Sequence, residues 1–296
     1  LVQDEAGHCH LTLFGIATLI IADDPRLLAT ARAALVDWLI EVPMPEPEIT
    51  LRLARDDGPA DWVSPAIHVE GSRLTIEGEG IRGEADATTG AARCRVPARL
   101  IDAPSMLADQ ILDPLLLFLA TRRGRTPVHA SGVMIGDTVL VLAGASGSGK
   151  STLAVAAMAR GLTVLSDDTL YVEHEASLRV WGVPRPIHVF PNDAPPGDHE
   201  TRLRGGKVKR AVRISAGPRY ADHAALIVLA RGDTLRLDAI APDEAMRLLA
   251  NLEPGFDLLR EESAAAIVAL AAGGAWWLRL TQDPDAAIAL LQEAFG

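Results

Sequence analysis

The chain has 296 residues, with 28 basic and 39 acidic side chains, a formal net charge of −11 and 49% hydrophobic residues. That apolar share supports a packed core and excludes a disordered or linker-like chain, and the length suits one large domain or two unequal ones. The acidic balance argues against broad binding of nucleic acid or an anionic membrane and leaves room for a local basic site.

Two cysteines, Cys9 and Cys94, are too few for a secreted disulfide scaffold. His8 and His10 flank Cys9, but strand alternation puts both on the face opposite it, which argues against a metal site. The apolar stretches 13–22 and 111–120 are about half the ~20 residues that a bilayer span needs. No basic segment leads into a signal-like core, so a soluble, cytoplasmic protein is expected. The chain opens on Leu1 rather than Met.

In chain order, Leu11 to Ile21 reads as a strand. Pro25 to Ile40 reads as a helix, capped by Asp24, with Leu28, Ala31, Leu35 and Trp38 near a 3.6-residue period. Pro43, Pro45 and Pro47 break it. Glu48–Leu53, Ala66–Glu70, Arg73–Glu77 and Ala92–Val96 read as short strands between Gly and Asp turns. Ala103 to Thr121 is helical, with Leu107, Ile111, Leu115 and Phe118 on one face and Pro114 expected to kink or divide it. A boundary falls in the polar loop Arg122–Thr126, which separates a small α+β region, 1–125, from a second domain, 126–296.

In that second part, Val128–Met134 and Thr138–Ala143 read as strands, Thr152–Arg160 as a helix and Leu162–Leu165 as another strand. Thr169–Glu173 and Ser177–Trp181 suggest a hairpin, and Pro191–His199 a surface loop. Strands Ala225–Ala230, Thr234–Ile240 and Trp276–Leu280 follow, with helices at Pro242–Leu249, Ser263–Ala275 and Pro284–Phe295.

The strongest motif is Gly144–Ala145–Ser146–Gly147–Ser148–Gly149–Lys150–Ser151, which matches G-x-x-x-x-G-K-[ST]. An apolar strand, Val139–Leu142, enters it, and the helix-forming Thr152 and Leu153–Ala157 leave it. Small residues let backbone N–H groups turn toward phosphate oxygens, and the helix N-terminus adds positive potential. Lys150 reaches the β- and γ-phosphates, and the Ser151 hydroxyl completes a Mg²⁺ sphere. The bland alternative is a glycine-rich turn with an exposed lysine. The motif points to a nucleoside triphosphate with Mg²⁺.

Asp167–Asp168 ends the strand that follows, at an edge where open α/β sheets bind ligands. One carboxylate can hold Mg²⁺ while its neighbour orients or deprotonates a hydroxyl; the alternative is a solvated turn. His129 reads either as a packed core residue or, if its strand lies beside Asp167, as a partner sharing a proton with that carboxylate.

Val128–His129–Ala130–Ser131–Gly132–Val133, the loop 144–151, Arg160–Gly161 and Ser166–Asp167–Asp168 follow one another with spacing that resembles the HPr kinase/phosphorylase family, over roughly 127–189. The resemblance implies an α/β fold with a mixed sheet, close to phosphoenolpyruvate carboxykinase, preceded here by the small α+β region. It implies that Lys150 binds phosphate, that Ser151 and Asp168 hold Mg²⁺, that Asp167 acts on a serine hydroxyl with His129 in support, and that Gly144, Gly147 and Gly149 shape the loop. The family's Leu-Glu-Ile-Arg-Gly signature is replaced by Leu178–Arg179–Val180–Trp181–Gly182, so reverse phosphorolysis is not expected. Val183–Pro191 resembles a segment of the HPr-kinase-like proteins found beside ribosomal-peptide genes, among them the lasso-peptide kinases, and Arg185 and His188 become candidates for substrate or phosphate contact. The carrier-protein kinases are hexamers, which brings a homo-oligomer into the expectation.

Thr201 to Arg219 carries seven cations (Arg202, Arg204, Lys207, Lys209, Arg210, Arg213 and Arg219) and no acid. Lys207, with Gly205 and Gly206 before it, could reach a transferring phosphoryl group or an acidic peptide, and Lys209 and Arg210 are candidates for the same contacts; otherwise the stretch is an exposed loop beside a strand. It holds one aromatic-free basic run, unlike a single-strand nucleic-acid platform. The favoured expectation is an ATP-dependent serine kinase acting on a peptide or small protein, without nucleic-acid or membrane partners. A small-molecule hydroxyl kinase and a nucleotide-dependent peptide-binding module are the alternatives.

Overall fold

In the computed structural model, Phe14 and Gly15 both take left-handed backbone (φ +51° and +79°), so the apolar run expected as one strand folds into a hairpin. Two residues with positive φ form the turn that matches strand twist, and they join β1 (His8–Leu13) to β2 (Ile16–Ala22) with Leu13 opposite Ile16. The structure describes residues 7–39, 46–57, 65–78, 80–183, 185–204, 206–214, 219–249 and 260–296. The expected breaker prolines Pro43 and Pro45, together with Pro184 and Gly205, lie outside them. Two units emerge, Leu1–Arg125 and Thr126–Gly296.

In the first unit, α1 (Pro25–Ala34) starts where Asp24 Oδ1 accepts from the backbone N–H of Arg26 (2.7 Å) and Leu27 (3.3 Å). Next come β3 (Ile49–Asp56), β4 (Ala66–Glu70), β5 (Arg73–Gly78), β6 (Ile81–Asp86) and β7 (Ala91–Pro97). The seven strands form one sheet in the order β1-β2-β3-β7-β6-β5-β4. Ile49, Leu51 and Leu53 alternate inward, while Glu84 and Arg93 pair across strands on the exposed side at 2.8 Å. β6, with glycine and three charges in six residues, gave too weak an apolar signal to be expected from sequence. The 103–121 segment divides into α2 (Pro104–Leu107) and α3 (Asp113–Thr121) around a π-helical turn, Ala108–Leu112. Pro114 has no N–H to give Gln110, and the wider turn just before it absorbs that loss.

The second unit begins with β8 (Thr126–Val128), β9 (Ala130–Ile135) and β10 (Thr138–Ala143). The single strand expected over Val128–Met134 is broken at His129, where the chain leaves one sheet for another. α4 spans Lys150–Ala159, two residues earlier than expected, and β11 (Val164–Ser166) begins later than expected and carries the chain up to Asp167. β12 (Leu170–Glu173) and β13 (Arg179–Gly182) form the expected hairpin. β14 (Ile187–Val189), β15 (Glu200–Arg204) and β16 (Lys207–Val212) build a small sheet, so the parts of the basic stretch in β15 and β16 are paired strands rather than a loop. β17 (Tyr220–Ala221), β18 (His223–Arg231), β19 (Arg236–Ile240), α5 (Pro242–Leu249), α6 (Arg260–Ala272), β20 (Ala275–Leu280) and α7 (Pro284–Phe295) complete it.

The central sheet is mixed, in the order β11-β9-β10-β18-β20-β19, giving an α/β fold. Both of its faces are buried, so strand β10 is apolar throughout. Leu140 and Leu142 pack with α4 and α7, and Val139, Val141 and Ala143 pack with α5 and α6. A second sheet, β17-β13-β12-β8, lies on the α5/α6 side of this core. Among the described residues no helix is long and apolar enough to cross a membrane.

Gly182 marks the tightest contact between β13 and the strand that leads to Asp167: a Cβ there would stand 2.2 Å from the Leu165 carbonyl oxygen. Gly182→Ala should therefore cost about 1–3 kcal/mol, as overpacking does, read as a lower denaturant midpoint. An unchanged midpoint would show that β11 yields freely at this point.

Candidate active site

Two crossings between sheets, side by side, build the site. β9 and β11 pair in the central sheet, with Ser166 opposite Gly132. β8 and β12 pair in the second sheet, with Leu170 opposite Val128. Between these ladders, His129–Ser131 on one chain segment faces Asp167–Thr169 on the other. Ser166 fastens the crossing, its hydroxyl donating to Thr169 O at 2.7 Å and lying 3.2 Å from Val183 O.

The carboxylates separate here. The hydroxyl of Ser131, fully buried, donates to Asp167 Oδ1 at 2.5 Å. Burial pushes the Asp167 carboxyl above its ordinary range, opposed by hydrogen bonds from Ser131 and Ser151 and by the Lys150 charge. Asp168 adopts left-handed backbone (φ +77°) and turns outward, its side chain 76% exposed and its Oδ1 3.3 Å from His129 Nδ1. The expected partnership is thereby corrected: His129 meets Asp168, and Asp167 lies with Ser151.

The loop Gly144–Gly149 runs from β10 to α4. Gly147 (φ +78°) and Gly149 (φ +111°) take conformations that favour glycine. A Cβ at Gly144 would come within 2.7 Å of Ser148 Oγ. That hydroxyl is buried and meets no hydrogen-bond partner among the described residues. Lys150 is only 7% exposed, and its ammonium is held by the carbonyls of Gly144 (2.8 Å) and Ala145 (3.3 Å). A buried cation leaning on its own loop is ready to exchange those dipoles for an anion.

A cavity of about 630 Å³ opens over this loop, reached by Ser146, Gly147, Gly149, Lys150, Ser151 and Thr152. His129 and Asp168 line it on one side. His188, Lys207 and Lys209 line it from the small sheet, where the two ammoniums sit 5.9 and 5.5 Å from the ring centre of Phe190, which is 46% exposed. The chain's three lysines, in a molecule of net charge −11, thus line one cavity. Arg185 and Arg210, expected as contacts, are not in that lining; Arg210 Nη1 bonds His199 O at 3.3 Å. Arg179, at the place of the family's glutamate, pairs with Asp222 at 2.6 Å and lies over Tyr220. The side chains of Arg202 and Arg204 lie outside the described residues.

Sequence reading missed Arg231. It ends β18 on the same edge as the loop and lines the cavity. Its signal was an arginine closing the apolar run Ala224–Ala230, the place in a parallel strand where ligand contacts gather.

No protein-family model and no curated protein matches the chain. Among solved structures it is similar to the Hpr(Ser) kinase/phosphatase from Coxiella burnetii, at 13% identity over 57% of this chain and 95% of that one, with a TM-score of 0.31. A likeness at that level transfers no residue roles, and the site rests on its own geometry.

The raised Asp167 carboxyl has a consequence for stability. The native state holds this proton at pH values where the unfolded chain, near the ordinary 3.8, has released it. Stability is therefore lost as pH rises from that value through the folded one. In chelator-containing buffer, Asp167→Asn should raise the thermal midpoint at pH 7, with the gap narrowing toward pH 4. A variant less stable at pH 7 would show that the Ser131 and Ser151 bonds outweigh burial.

Proposed function

We propose that residues 126–296 form an ATP-dependent kinase that passes the γ-phosphate to a serine hydroxyl of a peptide or small protein. The observation supporting this reading is the convergence, on one cavity, of a glycine-rich loop carrying Lys150 and Ser151 with the His129–Asp168 pair. The loop fits a polyphosphate: left-handed glycines expose N–H groups, the α4 N-terminus lies behind them, and the buried Ser148 Oγ meets no hydrogen-bond partner among the described residues. Ser151 and Asp167 fit Mg²⁺, which takes few protein oxygens when phosphate is present. When bound, the ion would offset phosphate charge.

The chain's own residues then divide the work. Lys150 turns from the Gly144 and Ala145 carbonyls to the phosphate oxygens. With its Nδ1–H given to Asp168, His129 carries its lone pair on Nε2 and takes the proton of the incoming serine hydroxyl. The serine oxygen bonds to the γ-phosphorus as the bond to the β-bridging oxygen breaks, leaving ADP. Lys207, Lys209 and Arg231 stabilise negative charge at the rim, and most of the acceleration comes from positioning and charge rather than covalent participation. This assigns Asp167 to the metal and Asp168 to the base, the reverse of what the family resemblance implied. The rim of Phe190, Lys207 and Lys209 offers an extended apolar and cationic edge that suits a peptide better than a small metabolite.

Labelled ATP with candidate peptides, followed by mass spectrometry of the product, tests this. Asp168→Asn and His129→Ala should lose about 10²–10⁴ in transfer rate while ATP affinity holds, and Lys150→Ala should weaken both. Full transfer by Asp168→Asn would remove the assigned base. Phosphorylation of a metabolite with no peptide present would favour the small-molecule kinase. ATP-dependent peptide affinity without transfer would favour the binding module.

A further inference from the structure

The order of strand ends along one edge of the central sheet separates a donor side from an acceptor side. β9 is antiparallel to both β10 and β11, and β18 and β20 run parallel to β10, so β11, β10, β18 and β20 all end on this edge. Along it come Asp167 and Asp168 after β11, the glycine-rich loop after β10, Arg231 at the end of β18, and Thr281 after β20. A polyphosphate lying across the loop has its reacting end at the His129–Asp168 side. Its other end must leave over β18 and β20.

A second cavity, of about 750 Å³, stands there, lined by Arg231, Gly232, Asp233, Leu280, Thr281 and Gln282. Arg231 belongs to both cavities. A Cβ placed on Gly149 would lie 3.6 Å from its Nη2, so the guanidinium rests against the loop, while its Nη1 donates to Thr281 O at 3.3 Å. The floor is fixed, since Gly232 N–H donates to Leu280 O at 2.9 Å. We propose that this second cavity receives the nucleoside of the triphosphate donor, with Arg231 at the junction of nucleoside and phosphates. The inference rests on the kinase reading and deepens it.

The lining chemistry matches that ligand. Asp233 supplies a carboxylate to accept from ribose hydroxyls, Gln282 both donates and accepts as a base edge requires, and Leu280 offers an apolar wall. The competing platform, Phe190, already has two ammoniums over its ring. The opposite direction leads to His129 and Asp168, the side on which the acceptor hydroxyl has to reach the terminal phosphate, so the nucleoside is left the β18–β20 side.

The test compares ATP with inorganic tripolyphosphate, which carries the same phosphates and no nucleoside. By calorimetry, the wild-type chain should bind ATP at least about tenfold more tightly, and Asp233→Ala and Gln282→Ala should each cut that ratio by about 3–10-fold, as loss of one or two hydrogen bonds does. The ratio cancels any change in overall charge. Should either variant misfold, 8-azido-ATP on the wild-type chain gives an independent readout, with labelling expected in the peptides holding residues 231–233 or 280–282. Equal wild-type affinity for the two ligands, an unchanged ratio in both variants, or labelling at Phe190 would overturn the assignment while leaving phosphate binding intact. Binding of neither ligand would instead overturn the underlying kinase reading, and this subsite with it.

Discussion

The site depends on a pair of adjacent sheet crossings. Where β8 becomes β9 and β11 becomes β12, each segment leaves one sheet for another, and the ladders on either side hold the two gaps in register. Residues in such a gap are released from strand pairing yet cannot drift, because paired backbone brackets them by one to three residues. That is how an exposed Asp168 and a partly buried His129 are held within 3.3 Å on a rigid frame. The left-handed backbone at Asp168 belongs to the same constraint: it lets neighbouring carboxylates point into different environments.

Electrostatics follow from that frame. Asp167 is drawn toward Ser131, Ser151 and Lys150, where burial and hydrogen bonds oppose one another, and Asp168 is left to solvent and the imidazole. Across the cavity, the β15–β16 hairpin places Lys207 and Lys209, two residues apart and so on one face, toward the same space as Lys150. An acidic chain thus gathers its three lysines around one cavity, which makes a local positive potential without a generally basic surface.

Much of the fold was legible because the signals were local. The apolar Val139–Ala143 run, the Asp24–Pro25 start of α1 and the Pro284 start of α7 each express a backbone preference over a few residues. The failures are equally local in cause. A hairpin turn made by Phe14 and Gly15 has no Asn-Gly or Asp-Gly signature, since phenylalanine rarely takes positive φ. The break at His129 is invisible in an unbroken β-prone run, because a change of sheet alters partners and leaves local conformation extended. In the site, the loop and the acidic pair were readable as motifs, whereas Arg231 was a single cation without a motif around it.

Periodicity and turn chemistry were enough to specify most of the elements, and one glycine-rich pattern singled out the loop, since those properties arise from neighbours in sequence, while the α/β arrangement with a mixed sheet was implied by the order and spacing of the motifs. Which carboxylate meets which partner was decided by folding alone. Asp167 and Asp168 are chemically identical neighbours, and only the positions of Ser131, Ser151 and His129, brought in from segments some fifteen to forty residues away, give them different surroundings.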